Sequence, residues 1–163
     1  MLKTYISYNY WANERLLEIS APLSAEALDQ PAELSFESLR KTWFHIWDAE
    51  LIWLARLEGQ PLEGWPSHDF APDQSITGLL DASGRWVAWV HAQNETDWHR
   101  TVKYANSKGK EFSQPVWEIV MHVVNHASYH RGQVVAALHQ LKVAPIPATD
   151  LIFYLRQAER PAL

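Results

Sequence analysis

The chain has 163 residues, nearly half of them apolar and a fifth charged, with a formal net charge of −5 and no cysteine. This length and composition predict a single globular domain over residues 1–163 with a full hydrophobic core. Without cysteine, the chain has no disulfide, thiolate metal site, catalytic thiol or iron–sulfur cluster. Lysine and arginine are scattered over an acidic chain, so nucleic acid is not expected as a partner.

No stretch approaches the ~18 apolar residues of a membrane span, and the first residues lack the uninterrupted apolar run of a signal peptide. We therefore expect no membrane association and a cytoplasmic location. Two residue types stand out, with nine tryptophans and eight histidines. Tryptophan fills cores as readily as it walls pockets, whereas histidine binds metals and shuttles protons.

Four long helices are predicted from apolar residues that recur at helical spacing. Ser35 is the expected N-cap of the second helix, and Pro115 suits the first turn of the fourth. Polar loops are expected around Asp29 and over residues 64–72. The predicted helices span residues 2–19, 36–57, 75–97 and 115–141.

A small β-hairpin or an irregular extended loop is predicted between the third and fourth helices. Residues 101–104 alternate in polarity, Asn-Ser-Lys-Gly at 106–109 is a turn signal, and residues 110–112 form the returning strand. Prolines 145 and 147 then break the chain, and Thr149 caps a short final helix over 151–158. Long amphipathic helices with modest connections indicate an all-α four-helix bundle, a fold that builds metal sites from facing helices.

Three histidines of the fourth helix, His122, His126 and His130, recur every four residues and so follow one helical face. Two imidazoles at this spacing can bind one metal ion, as in helical zinc motifs. On a helical wheel with His126 at 0°, the apolar residues of this helix lie between about 20° and 80°. His130 lies at about 40°, among them, and His122 lies at about −40°, outside them. The predicted inward pair is therefore His126 and His130, with His122 beside the site as a supporting group or pocket wall.

His45 is the best candidate for a third ligand, because it lies in the strongly apolar run Trp43-Phe44-His45-Ile46-Trp47 of the second helix. A buried imidazole needs a polar partner, and a metal ion provides one. A hydrogen bond to a backbone carbonyl would serve His45 equally well, and an isolated His-x-x-x-His pair is usually coincidental. The remaining histidines lie in loops or near helix ends: His68, His91, His99 and His139.

The stretch 122–133 reads His-Val-Val-Asn-His-Ala-Ser-Tyr-His-Arg-Gly-Gln. It resembles the signature helix of the DinB-like (damage-inducible) family of candidate metalloenzymes, in which a His-x-x-x-His-Arg-Gly-Gln run carries two metal ligands. The setting of His45 is similar to that of the family's third ligand. Segments 8–16 and 150–155 also resemble the family's first helix and C-terminal segment. The resemblance covers nearly the whole chain in the expected order.

By resemblance, the bundle has an up-down-down-up arrangement and often forms a homodimer. His45, His126 and His130 are then the ligands of a divalent metal ion, zinc or nickel in the first place and iron or manganese in the second. Relatives include enzymes that transfer low-molecular-weight thiols and isomerases that act on thiol-linked substrates, so such a thiol is a further implied cofactor. The family's name reflects an association with DNA damage, but the charge of this chain does not support DNA contact.

Several residues near the predicted ligands are candidates for a pocket. Gln133, at about −20° on the helical wheel, would hold a substrate or water, or simply lie at the bundle edge. Trp53 and Tyr129 would wall the pocket, or pack elsewhere. Arg131 is predicted to face the opposite side, as a cap, an ion-pair partner or a dimer contact. Glu50 lies about 140° around the helix from the predicted ligand, which makes it a poor general base.

Three neutral imidazoles leave a metal ion its full charge, which can lower the pKa of water to about 7, polarise a carbonyl or deprotonate a thiol. The first predicted function is therefore a metal-dependent enzyme that acts on a small-molecule substrate by hydrolysis or thiol transfer. The alternative is a non-catalytic metal-binding or dimerisation domain in which a structural ion ties two helices together. A structural site would be closed by a fourth protein ligand, for which His122 is the obvious candidate.

Overall fold

A computed structural model describes residues 1–106 and 108–158 of the chain. The described part is mostly helical, with one two-stranded hairpin. The helices are α1 (Leu2–Ser20), α2 (Ala25–Asp29), α3 (Leu39–Leu57), α4 (Leu79–Ala92), α5 (Val116–Gln140) and α6 (Leu151–Ala158), and the strands are β1 (Thr101–Ala105) and β2 (Glu111–Pro115). Short 3₁₀ turns lie at Pro66–Asp69, Ile76–Gly78 and Glu95–His99.

The four long helices form the predicted bundle, in which α1 and α3 each pack against α4 and α5. Buried residues from every long helix meet at both ends of the core. At one end these include Ile6, Leu54, Val90 and Val116. At the other end they include Leu17, Leu39, Leu79 and Leu138. Because α1 and α5 run from the first end to the second, and α3 and α4 run back, the predicted up-down-down-up arrangement is confirmed.

The start of α3 differs from the prediction. The helix begins at Leu39, with the Ser38 hydroxyl accepting a hydrogen bond from the backbone N–H of Lys41 at 3.2 Å, so Ser35 is not its N-cap. Glu37 has a positive φ of 62°, a conformation that no helical residue adopts. Residues 35–37 therefore remain outside the helix. The predicted loop before them contains the short helix α2.

The predicted third helix is divided into three pieces. The 3₁₀ turn Ile76–Gly78 precedes α4, and a β carbon at Gly78 would overlap the ring of Trp47, so the close approach of the two requires glycine. After α4 the chain turns, because Asn94 and Asp97 form a capping box that starts the next 3₁₀ turn. The capping box therefore ends α4 at Ala92, before the end that its apolar residues predicted.

The predicted hairpin and final helix are both present, but β2 continues to Pro115, which therefore precedes α5 and does not lie in its first turn. Strands β1 and β2 pair antiparallel, with Thr101 opposite Pro115 and Ala105 opposite Glu111. The side-chain oxygen of Asn106 accepts hydrogen bonds from the backbone N–H groups of Lys108 and Lys110, both at 3.0 Å. Ser107, within the predicted turn, lies outside the described residues. Across the described ranges, no helix is both long and apolar enough to cross a membrane.

A buried polar network joins four helices around Glu50, which is 1% exposed. The side-chain amides of Asn9 and Asn13 donate to Glu50 Oε1 at 2.8 and 3.0 Å. Their carbonyl oxygens both accept from Arg131 Nη1, each at 2.7 Å. The Ser83 hydroxyl donates to Glu50 Oε2 at 2.7 Å. Two asparagines of α1 therefore bridge an acid of α3 and a base of α5, and a serine of α4 completes the network.

The predicted outward orientation of Arg131 is wrong. The side chain is 2% exposed, because the buried face of α5 is wider than the apolar stripe identified from the sequence and extends over Val120, Val124 and Leu138. Burial raises the pKa of Glu50 to about 7, against the opposing effects of its hydrogen bonds and of Arg131. Burial also lowers the pKa of the Arg131 guanidinium. Each charge thus depends on the other for compensation.

We expect Glu50→Ala to lower the free energy of unfolding by about 3 kcal/mol, because it leaves the buried Arg131 without compensation. Urea denaturation of the wild type and the variant measures the loss. The matched control is Glu58→Ala, which removes the exposed ion pair with Arg85 and should cost less than about 1 kcal/mol. Losses of equal size in the two variants would contradict a stabilising role for the network.

Candidate metal centre

Three imidazoles converge between α3 and α5. His45 projects from α3, and His126 and His130 project from consecutive turns of α5. The Nε2 atoms of His45 and His126 are 3.0 Å apart, and one potential ligand atom from each of the three residues lies within 4.8 Å of the others. The side chains that the sequence analysis selected as ligands are thus neighbours, because α3 packs directly against α5.

Burial keeps these imidazoles in the form that binds metals. His130 is 5% exposed, and the other two are half-buried. Burial lowers the pKa of His45 to about 4 and that of His126 to about 3, and repulsion between neighbouring imidazolium charges lowers both further. Burial also lowers the pKa of His130. All three rings are therefore neutral at pH 7 and keep a nitrogen lone pair for a cation.

Gln133 sets the tautomer of His130. The Nδ1 atom of His130 lies 3.2 Å from Gln133 Oε1, and the Gln133 amide donates from Nε2 to the Ser35 hydroxyl at 2.8 Å. Because a carbonyl oxygen only accepts, Nδ1 carries the hydrogen and Nε2 has the free lone pair. This is the usual way in which a neighbouring group orients a metal-binding histidine. Gln133 thus supports the site by orienting a predicted ligand.

The donor set fits a divalent cation. Two Nε2 atoms 3.0 Å apart cannot both present lone pairs without repulsion, so a shared proton or a shared cation has to lie between His45 and His126. A hydrogen on one ring nitrogen would join these two rings alone, whereas a divalent cation could bind all three neutral imidazoles at once. The choice of metal is limited by the donors, because imidazole nitrogen suits zinc, nickel, iron and copper.

Aromatic rings surround the histidines. Phe36 stacks on His45 with ring centroids 3.8 Å apart and meets His130 edge-on at 5.5 Å. The Trp65 ring lies 5.5 Å from that of His45. The loop that carries Trp65 is anchored by Ser67, whose backbone N–H and hydroxyl donate to the buried carboxylate of Asp48 at 2.7 and 2.6 Å. Sequence reasoning assigned no role to Phe36, Trp65 or Asp48, since nothing local links them to the histidines.

Two clefts border the histidine group, and Trp65 lines both of them. The first, here called the Arg56 cleft, has a volume of about 540 Å³ and is lined by His45, His126, Trp53 and Arg56 among others. The second, here called the Asp48 cleft, has a volume of about 670 Å³ and is lined by His45, Phe36, Asp48 and His68 among others. Pockets of this size accommodate small molecules. His45 and Trp65 border both clefts.

The other predicted site residues are distributed around this centre. His122 is exposed, with its ring 5.7 Å from that of His126 and 5.1 Å from that of Trp53, and it is not one of the three grouped ligands. Both His122 and Trp53 line the Arg56 cleft. Tyr129 meets the ring of His130 edge-on at 4.9 Å but is 63% exposed. Glu50, as expected, is directed elsewhere, into the buried polar network.

Comparison with known proteins identifies the family. The model of the DinB family matches residues 1–161. This chain belongs to the DinB family. Protein DinB of Bacillus subtilis is 26% identical over 159 residues, which covers 91% of this chain and 90% of that protein.

Solved structures share the DinB-like fold. A DinB-like protein from Bacillus cereus has a TM-score of 0.63 at 21% sequence identity, covering 87% of this chain and 91% of that one. A DinB-like protein from Bacillus subtilis has a TM-score of 0.66 at 15% identity, covering 90% and 97%. Identities this low support the fold and leave the chemistry to be argued from the site.

We expect Gln133→Ala to release the tautomer of His130, so that forms with the hydrogen on Nδ1 and on Nε2 become comparably populated. Long-range ¹H–¹⁵N NMR spectra of the imidazole distinguish the two forms in metal-free protein. Gln140→Ala, an exposed change at the end of α5, is the control and should leave the wild-type spectrum unchanged. An unchanged His130 tautomer in Gln133→Ala would show that another group fixes it.

Proposed function

We propose that this DinB-family protein is a metal-dependent enzyme that acts on a small molecule, by hydrolysis or thiol transfer, at an open site on His45, His126 and His130. The convergence of these three neutral imidazoles, with His45 lining two adjoining clefts, carries the proposal. Zinc and nickel are the first candidates for the ion, and iron and manganese follow. The homodimer, the cytoplasmic location and a low-molecular-weight thiol as cofactor stay predictions.

A catalytic role is favoured over a structural one by the number of donors. Structural zinc sites are closed by four protein ligands, whereas catalytic sites use three and keep a position for water or substrate. His122, the candidate for closing the site, lies outside the group of three. A divalent ion on three neutral histidines supplies Lewis acidity, which lowers the pKa of water or a thiol and polarises a carbonyl.

The chain's own residues would prepare the site for this chemistry. Gln133 orients His130, as described above. Phe36 and Trp65 cover His45 with apolar surface and limit its contact with water, which strengthens electrostatic interactions at the site. Asp48 holds the Trp65 loop in place through Ser67. The two clefts leave room for a substrate beside the ligands.

We expect His45→Ala and His130→Ala each to abolish stoichiometric metal binding, because two remaining imidazoles rarely make a tight site. His122→Ala, the matched control from the same helical face, should keep the full metal content. Elemental analysis of protein purified without chelator measures all three variants. Full metal content in His45→Ala would overturn the ligand assignment, and loss of metal in His122→Ala would favour a closed, structural site.

We also expect turnover that depends on the metal. A screen would pair low-molecular-weight thiols with electrophilic substrates, and would test simple esters for hydrolysis, with and without a chelator. Activity should fall to background with the chelator and return when zinc or nickel is added back. Turnover that the chelator does not reduce would contradict a metal-dependent mechanism. A metal that raises the melting temperature while no substrate is turned over would support the non-catalytic alternative.

A further inference from the structure

The Arg56 cleft carries a cation at the end away from the histidines. Arg56 follows His45 by eleven positions on α3, which returns it to the same helical face about 16 Å further along the axis. Its guanidinium lies over the ring of Trp53, 4.4 Å from the centroid, and 4.9 Å from that of Tyr104. Because Trp53 comes three positions earlier on α3, the guanidinium leans back towards the histidines, about 12 Å along the axis from His45.

The guanidinium has most of its donors available. Its Nη2 donates to the backbone oxygen of Ala105 at 3.1 Å. Within residues 1–106 and 108–158, no carboxylate lies at ion-pair distance from Arg56. An arginine has five N–H donors in a planar fork that matches a carboxylate. A half-buried cation between two aromatic rings, without an acid, is poised to bind an anion.

The wall between the two polar ends is mainly apolar. It is formed by Ala49, Ile52 and Trp53 on α3 and by Leu62 and Trp65 on the facing loop. His122 also lines this wall. Glu63 lies at the exposed rim and opposes the entry of a second negative charge.

We propose that the Arg56 cleft binds elongated, apolar monocarboxylates, with the carboxylate on Arg56 and the opposite end at His45 and His126. Arg56 thereby selects the substrate and fixes the end of it that reaches the histidines. The assignment of a reacting end rests on the proposed function. The recognition of the carboxylate depends only on Arg56 and the cleft.

Octanoate and octanamide are suitable probes, because they have the same apolar chain and differ in charge. Ligand-observed NMR titrations of the full-length protein, as purified and after chelator treatment, give both affinities. Octanoate should bind about tenfold more tightly than octanamide in both preparations, as expected for hydrogen bonds to a charged partner. The chelator arm is needed because a carboxylate also binds metal ions directly.

Arg56→Met should reduce the preference for octanoate to about onefold, since it keeps the apolar stem and removes the charge. Arg56→Lys should keep part of it, because the ammonium retains the charge without the planar fork. Glu63→Gln is the control from the same cleft and should leave the preference intact or increase it. Melting temperatures are measured in parallel. Arg56→Lys provides the comparison if Arg56→Met is unstable.

Equal affinities for the two probes in the wild type, or a preference that survives Arg56→Met, would overturn the proposal. A preference for octanoate that disappears with chelator but is unchanged in Arg56→Met would place the carboxylate on the metal, and this result would also overturn the proposal. If the wild type contains no metal but prefers octanoate through Arg56, the proposed function fails and this inference stands.

Discussion

The buried bridge from Glu50 through Asn9 and Asn13 to Arg131 fixes the relative positions of the helices. An apolar interface between helices tolerates small sliding movements, whereas a network of hydrogen bonds of 2.7–3.0 Å between buried groups does not. Arg131 follows His130 directly on α5, so the hydrogen bonds that fix the position of Arg131 also fix the backbone position of His130. The network thus holds α5 at the height along α3 that brings its histidines opposite His45.

The same burial has opposite effects in the core and at the site. In the core it forces charges to compensate one another, as Glu50 and Arg131 do through two asparagines. At the site it removes protons from three histidines. Among residues 1–106 and 108–158, no carboxylate forms an ion pair with them. A cluster of neutral imidazole nitrogens favours the binding of a cation. The same lowered pKa values make these imidazoles poor general acids or bases near pH 7. Glu50, an acid with a raised pKa five positions after His45, is held in the buried polar network and does not face the site.

Much of the fold and the pair His126 and His130 could be predicted, because both depend on local periodicity. His45 was selected partly from its apolar setting and more from the resemblance to the family, since local pattern alone did not distinguish a ligand from a core histidine. The predicted orientation of Arg131 was wrong, because arginine is usually exposed and its partners, Asn9 and Asn13, lie more than a hundred positions away on α1. Phe36 and Trp65 reach the site only through tertiary packing, which spacing along a single helix does not report.

Trp65 lines two clefts that both reach His45, one ending at a guanidinium and the other at a buried carboxylate. Two different molecules can therefore reach His45, each through its own cleft, without exchanging places. In a group-transfer reaction this geometry allows donor and acceptor to be bound together and to arrive in either order. Kinetics of this kind pass through a ternary complex, and the protein itself need not carry the transferred group between two half-reactions.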